Sequence, residues 1–536
     1  MVSRNGLTDS QLLGWGAVFL LAAAWPLLVF AYPAGQDTPN HLARAFILLH
    51  PADPLLTTHY VIDWKPLPNL AWDSFALLVG GWLPLNWAVR FFMLAGMAMT
   101  LAGVFTLNRV LASRWTWTPL LATPFLFHAG YAQGFLSFSF GIGLALLGCS
   151  WWAAIGERQW PMRLAIATVF SAALYFCHFV TWGFYGVFIF GLKISHLISQ
   201  WRTEGAGVIP GWIGRLVRDG LQAVIPIYLM FHSFTLGGED PRFTGGISPL
   251  ELPYKRIIQA WRLIFTGDWM PSVAILAAIT FVLFFFLWRG RYTLSFRFVV
   301  PVILLLMLFF ALPDQIYNTY SIAWRLALGA ALICIASLVP GHSCDQLPAQ
   351  TVLLPVLIIT LALSGWQGLA TANSESGRRD YFEVIRSIPQ GGRLFMVHSG
   401  ISSHDIKYDR IGLYHIAPYA VIERRALVQS MFANRTQQVI GYRQAAYHMP
   451  SVSGWVFIDV LKSSYNDHDI AFDQHILNFD WVIIHGPSPQ SDAEKLPLGA
   501  FKPVNMVGDF RLYCRVGVGA PARLKSGLEG CLDKGQ

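Results

Sequence analysis

Eleven apolar stretches, nearly free of charge, dominate the chain: residues 12–32, 86–108, 117–130, 137–155, 162–178, 180–198, 221–237, 273–288, 298–313, 320–340 and 351–370. A helix needs about 20 residues to cross the hydrocarbon core of a bilayer, and most of these runs reach or approach that length. Only 13% of the 536 residues are charged, against about 25% in a soluble domain, and mean hydropathy is +0.47. Lipid must therefore solvate most of the chain. The pattern predicts a polytopic α-helical membrane protein of about 11 transmembrane helices followed by a C-terminal α/β domain. The third run is short for a crossing, and a further weak apolar stretch lies at Phe75–Leu83.

A cleaved secretory signal is the competing reading of the N-terminus, because Arg4 precedes the first run. That run exceeds the 7–15-residue core of a signal, and further spans follow, so an uncleaved first helix is expected. The net charge of +8 accompanies no Lys/Arg-rich block, which argues against nucleic acid as partner. Its basic residues sit singly between apolar runs. One set of connections holds Arg4, Arg109, Arg114, Arg158, Arg163, Arg202, Arg215, Arg218, Arg289, Arg291 and Arg297, and the other holds Arg44, Lys65, Arg242, Lys255, Arg256 and Arg262. The richer set marks the cytoplasmic side, so a cytoplasmic N-terminus is expected. An odd number of spans then places everything after Ala370 outside. The 21 Trp fit interfacial belts.

Residues 1–370 thus read as the membrane module and 371–536 as a soluble periplasmic α/β domain. In the latter, β-like runs occur at Arg393–Val397, Ala420–Ile422, Trp481–Ile484 and Phe510–Val516, with a helix over Tyr381–Ile388. Cys514 and Cys531 lie there, and spacing leaves open whether they are bonded. Two outside loops are too long to be turns: 33–85, read as surface helices, and 238–271.

Within the first loop, D37-T-P-N-H-L-A-R44 puts an acid directly after the first span. On a helix, Asp37, His41 and Arg44 share one face. A carboxylate where a polytopic chain leaves the membrane pairs, coordinates or does chemistry. The plain structural alternative is that Asp37 caps the helix starting at Thr38. His128, Tyr131 and Gln133 form a polar knot in a Gly-rich outside turn. Arg325 lies about one turn inside the outer end of its span, with Asp314 and Gln315 as obvious partners. His178 ends its span at the same level.

These features together resemble the GT-C superfamily of membrane glycosyltransferases. The resemblance rests on the Asp37 run, on H128-A-G-Y-A-Q-G-F-L-S-F-S-F-G141, on the long late loop, and on the C-terminal domain ending in F510-R-L-Y-C-R515. It implies a bacterial inner-membrane enzyme that moves a sugar from an undecaprenyl-phosphate type donor to a lipid, glycan or protein acceptor. In the inverting form it implies, Asp37 is the general base. His41, Arg44, His128, Tyr131, Gln133, His178, Asp314 and Arg325 become candidate substrate contacts. Arg44 and Arg325 would serve as phosphate clamps. Many members carry a second acid beside the first, whereas Thr38 follows Asp37 here. That departure resembles the metal-independent members, similar to aminoarabinose and protein-mannosyl transferases, so no metal or other cofactor is expected. Two other classes remain: a transporter or flippase of a lipid-linked glycan, which should show inverted repeats, and a non-catalytic membrane assembly factor.

Overall fold

The computed structural model describes residues 7–33, 35–232, 250–290, 292–316, 319–340, 349–399, 408–433, 438–444, 475–486 and 498–516. Seven helices among them are long and apolar enough to cross a membrane: Asp9–Val29, Leu85–Ala112, Leu136–Ala154, Trp160–Cys177, Phe179–Glu204, Trp269–Trp288 and Ala349–Ile385. Shorter apolar helices are Thr118–Phe127, Phe296–Ala311 and Ile322–Ala336. Helices are the expected solution, because lipid offers no partner for an unpaired backbone amide. The first is set by a capping box, in which Thr8 Oγ1 accepts from the Gln11 amide and Gln11 Oε1 from the Thr8 amide.

Residues 117–130 depart from the expected α-helical span. Thr118–Phe127 is a 3-10 helix, and Pro119 and Pro124 withhold two of its amide donors. At about 2.0 Å per residue, its ten residues fall short of a crossing. The stretch at Phe75–Leu83 is helical only as far as Val79, within the nine-residue helix Ala71–Val79, also too short to span. The run 221–237 is helical over Val224–His232, and its end lies outside the described residues.

Leu85–Ala112 packs closely along Leu136–Ala154. Glycines allow the approach: a Cβ on Gly143 would stand 2.7 Å from the Thr100 amide nitrogen. Small residues at such crossings let backbones touch where no hydrophobic force drives helices together.

The loop 33–85 is helical as expected, but it is not on the surface. Thr38 through Leu48 are all buried in the helix Thr38–Leu49. The covering comes from the C-terminal region, whose strand Ile440–Tyr442 pairs antiparallel with Tyr60–Ile62 of the loop. The last membrane helix runs unbroken for 37 residues, Ala349–Ile385, passing the expected boundary at residue 370 without a break. Its end packs Tyr381 against Phe510 of a five-stranded sheet. The strand order is Leu427–Val428, Arg393–His398, Trp481–His485, Phe510–Arg515, Phe501–Val507, the first three parallel and the last two antiparallel. Three of the four expected strands are present. The fourth, Ala420–Ile422, belongs to a helix, Tyr419–Arg424, which begins just after Pro418. Cys514 is buried in its strand, and Cys531 lies outside the described residues.

Gly143→Ala should lower the melting temperature of the detergent-solubilised protein by several degrees, because a methyl group there meets backbone. Gly186→Ala, in a span where nothing lies within 4 Å, should hold or raise it. Equal effects at both positions would show that the crossing at Gly143 is not tight.

Candidate functional site

The loop after the first span is pinned by backbone bonds to the turn between Thr118–Phe127 and Leu136–Ala154. The amides of Gln36 and Asp37 donate to the carbonyls of Ala132 and Gln133, at 3.1 and 3.0 Å. Gly134 makes this docking feasible. Its φ is +77°, and a Cβ would lie 3.0 Å from the Thr38 nitrogen and 3.1 Å from that of Asp37. Both the left-handed backbone and the close approach demand glycine.

Asp37 occupies the residue before the helix Thr38–Leu49, yet its side chain makes no capping hydrogen bond. The capping reading is therefore set aside, and the carboxylate is left for other contacts. Its Oδ1 stands 3.0 Å from Nδ1 of His415, a residue of the C-terminal region. The contact is close but out of hydrogen-bond alignment.

Arg44 does not face Asp37. It is fully buried, with Nε 2.7 Å and Nη2 2.9 Å from the two oxygens of Asp73, and Nη1 on Gln438 of the C-terminal region. A fork bound on both prongs is a structural clamp, so Arg44 is corrected from phosphate ligand to brace. Asp73, held in this pair, is not a second acid beside Asp37. His41 supports the same brace, its Nδ1 3.2 Å from Arg44 Nη2 while the ring bonds the Gly134 backbone. Burial, then the neighbouring Arg44 charge, hold its pKa well below the ordinary 6.5. It is neutral at physiological pH and serves as a positioning group.

Arg325 is the opposite case. It is 4% exposed, and among the described residues it forms no ion pair within 4.0 Å. Nη2 donates to the Tyr320 carbonyl at 3.1 Å, Nη1 lies 2.8 Å from His178 Nε2, and Nε has no partner. The guanidinium lies over the rings of Phe135 and Phe138, 4.5 and 4.9 Å from their centroids. The expected Asp314–Arg325 pair is not formed, because Asp314 instead sits 3.4 Å from Arg256 and 4.0 Å from Arg262. Those two arginines carried no distinguishing signal in the sequence. The fields of Asp314 and Asp37 reach Arg325 and favour its charge, while that of Arg262 opposes it.

His178 receives two donors at once: the Val180 amide at Nδ1, 3.1 Å away, and Arg325 at Nε2. A neutral imidazole has a single acceptor nitrogen, so one donor is unmatched. His128 caps its own turn, accepting from the Tyr131 amide, and its ring lies by Trp324 and Phe138. Tyr131 packs edge-on to Phe127. The expected polar knot is thus split, with His128 and Tyr131 packed inward. Gln133 stays at the docking point, its Oε1 buried and unpartnered. Asp268 of the late loop caps the helix Trp269–Trp288, and Asp240 lies outside the described residues. No group of three or more His, Cys, Asp or Glu that could hold a metal ion occurs among the described residues.

No protein-family model matches this chain, and no curated protein sequence does. Solved structures do. The chain is similar to ArnT from Cupriavidus metallidurans, whose crystal structure has undecaprenyl phosphate bound. The match covers 96% of this chain and 100% of that one, with 10% identity and a TM-score of 0.53. The two chains share a fold. The likeness extends over the membrane helices and the C-terminal sheet together, and it is a likeness of fold.

Asp73→Asn should destabilise the protein by about 3–5 kcal/mol, since it leaves Arg44 buried without its counter-charge. Chemical denaturation in detergent measures this, and a loss under 1 kcal/mol would contradict the clamp. A second expectation concerns acid. Burial lowers the His398 pKa from 6.5 to about 4. Below about pH 6.5 the unfolded chain binds a proton there that the folded one refuses. Stability is therefore whole above pH 6.5 and declines as pH falls toward about 4. Melting temperatures that stay level across that window would refute the assignment.

Proposed function

We propose that the protein is a membrane glycosyltransferase that takes a sugar from a polyprenyl-phosphate donor of the undecaprenyl type. The observation that carries this reading is a carboxylate released from capping at the loop after the first span, with an uncompensated buried arginine whose charge its field reaches. The shared fold supports it, since the ArnT structure holds a polyprenyl phosphate.

In the reaction, Asp37 accepts the proton of the acceptor hydroxyl. The hydroxyl oxygen attacks the anomeric carbon from the face opposite the phosphate. The bond between that carbon and the phosphate oxygen breaks, its electron pair leaves with the polyprenyl phosphate, and the sugar inverts. Arg325 supplies the charge that receives the departing phosphate. A phosphate oxygen beside Arg325 also offers an acceptor to the donor that His178 leaves unmatched. Arg262, held by Asp314 and Ser321, adds a second cation on that side. Placing Asp37 and the C-terminal domain on the periplasmic face of a bacterial inner membrane, with the N-terminus in the cytoplasm, agrees with the arginine asymmetry. The acceptor is a lipid, a glycan or a protein. No metal takes part.

Asp37→Asn should reduce transfer by at least about 100-fold while the protein still binds undecaprenyl phosphate. Arg325→Met should weaken that binding by at least about tenfold. Transfer that survives the Asp37 change would refute the base, and transfer abolished by a chelator would refute metal independence.

A further inference from the structure

Around Asp37 lies a set of buried polar atoms without hydrogen-bond partners among the described residues: Thr38 Oγ1, Asn40 Nδ2, Gln133 Oε1 and His415 Nε2. Thr38 and Asn40 are 0% exposed, and His415 is 4% exposed. More than nine-tenths of buried polar groups in folded proteins are paired, so such a cluster in one place calls for a ligand. Contacts through Asp37 and its neighbours join the four residues. Asp37 Oδ1 is 3.0 Å from the His415 ring, and that ring lies edge-on to Phe432, 5.5 Å between centroids. The Phe432 amide in turn donates to Asn40 Oδ1 at 2.9 Å, which fixes the Asn40 amide with Nδ2 unused. On the other flank, the Asp37 amide bonds the Gln133 carbonyl, and Thr38 Oγ1 lies against Gly134.

The chemistry of the four atoms selects among ligands. Phosphate carries acceptors only and would leave Gln133 Oε1 facing another acceptor. An apolar group would satisfy none of them. Asn40 donates, Gln133 accepts, and Thr38 and the His415 nitrogen can do either. A hydroxyl also does both, and several hydroxyls on one rigid ring match a mixed shell of this kind. We propose that Asn40, His415, Thr38 and Gln133 form the subsite for the sugar ring of the lipid donor, with the C-terminal region supplying one wall through His415. The inference rests on the transferase reading and adds to it the groups that hold the sugar.

The test compares two kinds of lipid on the full-length protein in detergent. One is undecaprenyl phosphate, and the other is undecaprenyl phosphate carrying glucose, mannose or arabinose. At least one sugar-bearing lipid should bind about tenfold tighter than the bare lipid. Asn40→Asp keeps the acceptor for the Phe432 amide and deletes the donor, and His415→Phe keeps the ring and deletes its nitrogens. Each should cut the sugar's gain about five- to tenfold and leave bare-lipid affinity within about twofold. Melting curves verify folding, and if Asn40→Asp fails that control, His415→Phe carries the comparison. The subsite is overturned if no sugar adds affinity, or if the folded variants weaken both lipids equally, as a packing role would. Failure of the wild type to bind even undecaprenyl phosphate would instead remove the parent reading.

Discussion

The buried ion pair between Arg44 and Asp73 is the contact on which the geometry of the candidate site depends. It joins the helix Thr38–Leu49 to the helix Ala71–Val79, and through Gln438 it reaches the C-terminal region. Removing two charges from water is costly, and only complete hydrogen bonding makes the arrangement tolerable. Such a pair therefore fixes relative position more than it adds stability. Asp37 begins the helix that this clamp holds, and His41 ties the clamp to Gly134. The carboxylate is consequently placed from two sides: by backbone bonds to the Gln133 turn and by the brace about two turns along its own helix.

Hydropathy made the membrane architecture readable because a bilayer tolerates few solutions, and length alone locates most of its helices. The exceptions have local causes. Prolines 119 and 124 turned an apparent span into a 3-10 segment, and Ala420–Ile422 was too short for its apolar run to separate strand from helix. Within the site, residue type was legible and partnership was not. Helical spacing put Asp37, His41 and Arg44 on one side, but the choice of Asp73 by Arg44 depends on a helix 29 residues away. His415 stands 378 positions beyond Asp37 (415 less 37) and carries no motif, so only the folding of the C-terminal region over the first loop reveals it. The loss of Asp314 to Arg256 and Arg262 follows from the same cause.

The continuous helix Ala349–Ile385 bears on how firmly that region can sit. A helix of 37 residues rises about 55 Å, enough to cross the hydrocarbon core and extend beyond it. Its end is buried against the sheet through Tyr381, Val384 and Ile385. The strand pairing of Tyr60–Ile62 with Ile440–Tyr442 provides a second attachment, from the opposite end of the sequence. A region held at two points and contributing a histidine to the carboxylate is part of the site's construction, not an appendage.

Two of the buried arginines, Arg44 and Arg325, give the sharpest contrast. Both are buried to within 4%, and both lie close to the first loop or to its field. Arg44 is neutralised by a bidentate carboxylate, and it can offer little to a ligand without losing its place. Arg325 has aromatic faces, a carbonyl and a histidine already supplied with another donor, and its Nε is unmatched. Leaving a cation so poorly compensated disfavours the empty fold unless an anion arrives in the working state. On the proposed function, polyprenyl phosphate would bring such a charge on a chain that lipid already dissolves, which fits an unpaired arginine in an apolar helix and a paired one in the helix that follows the first span.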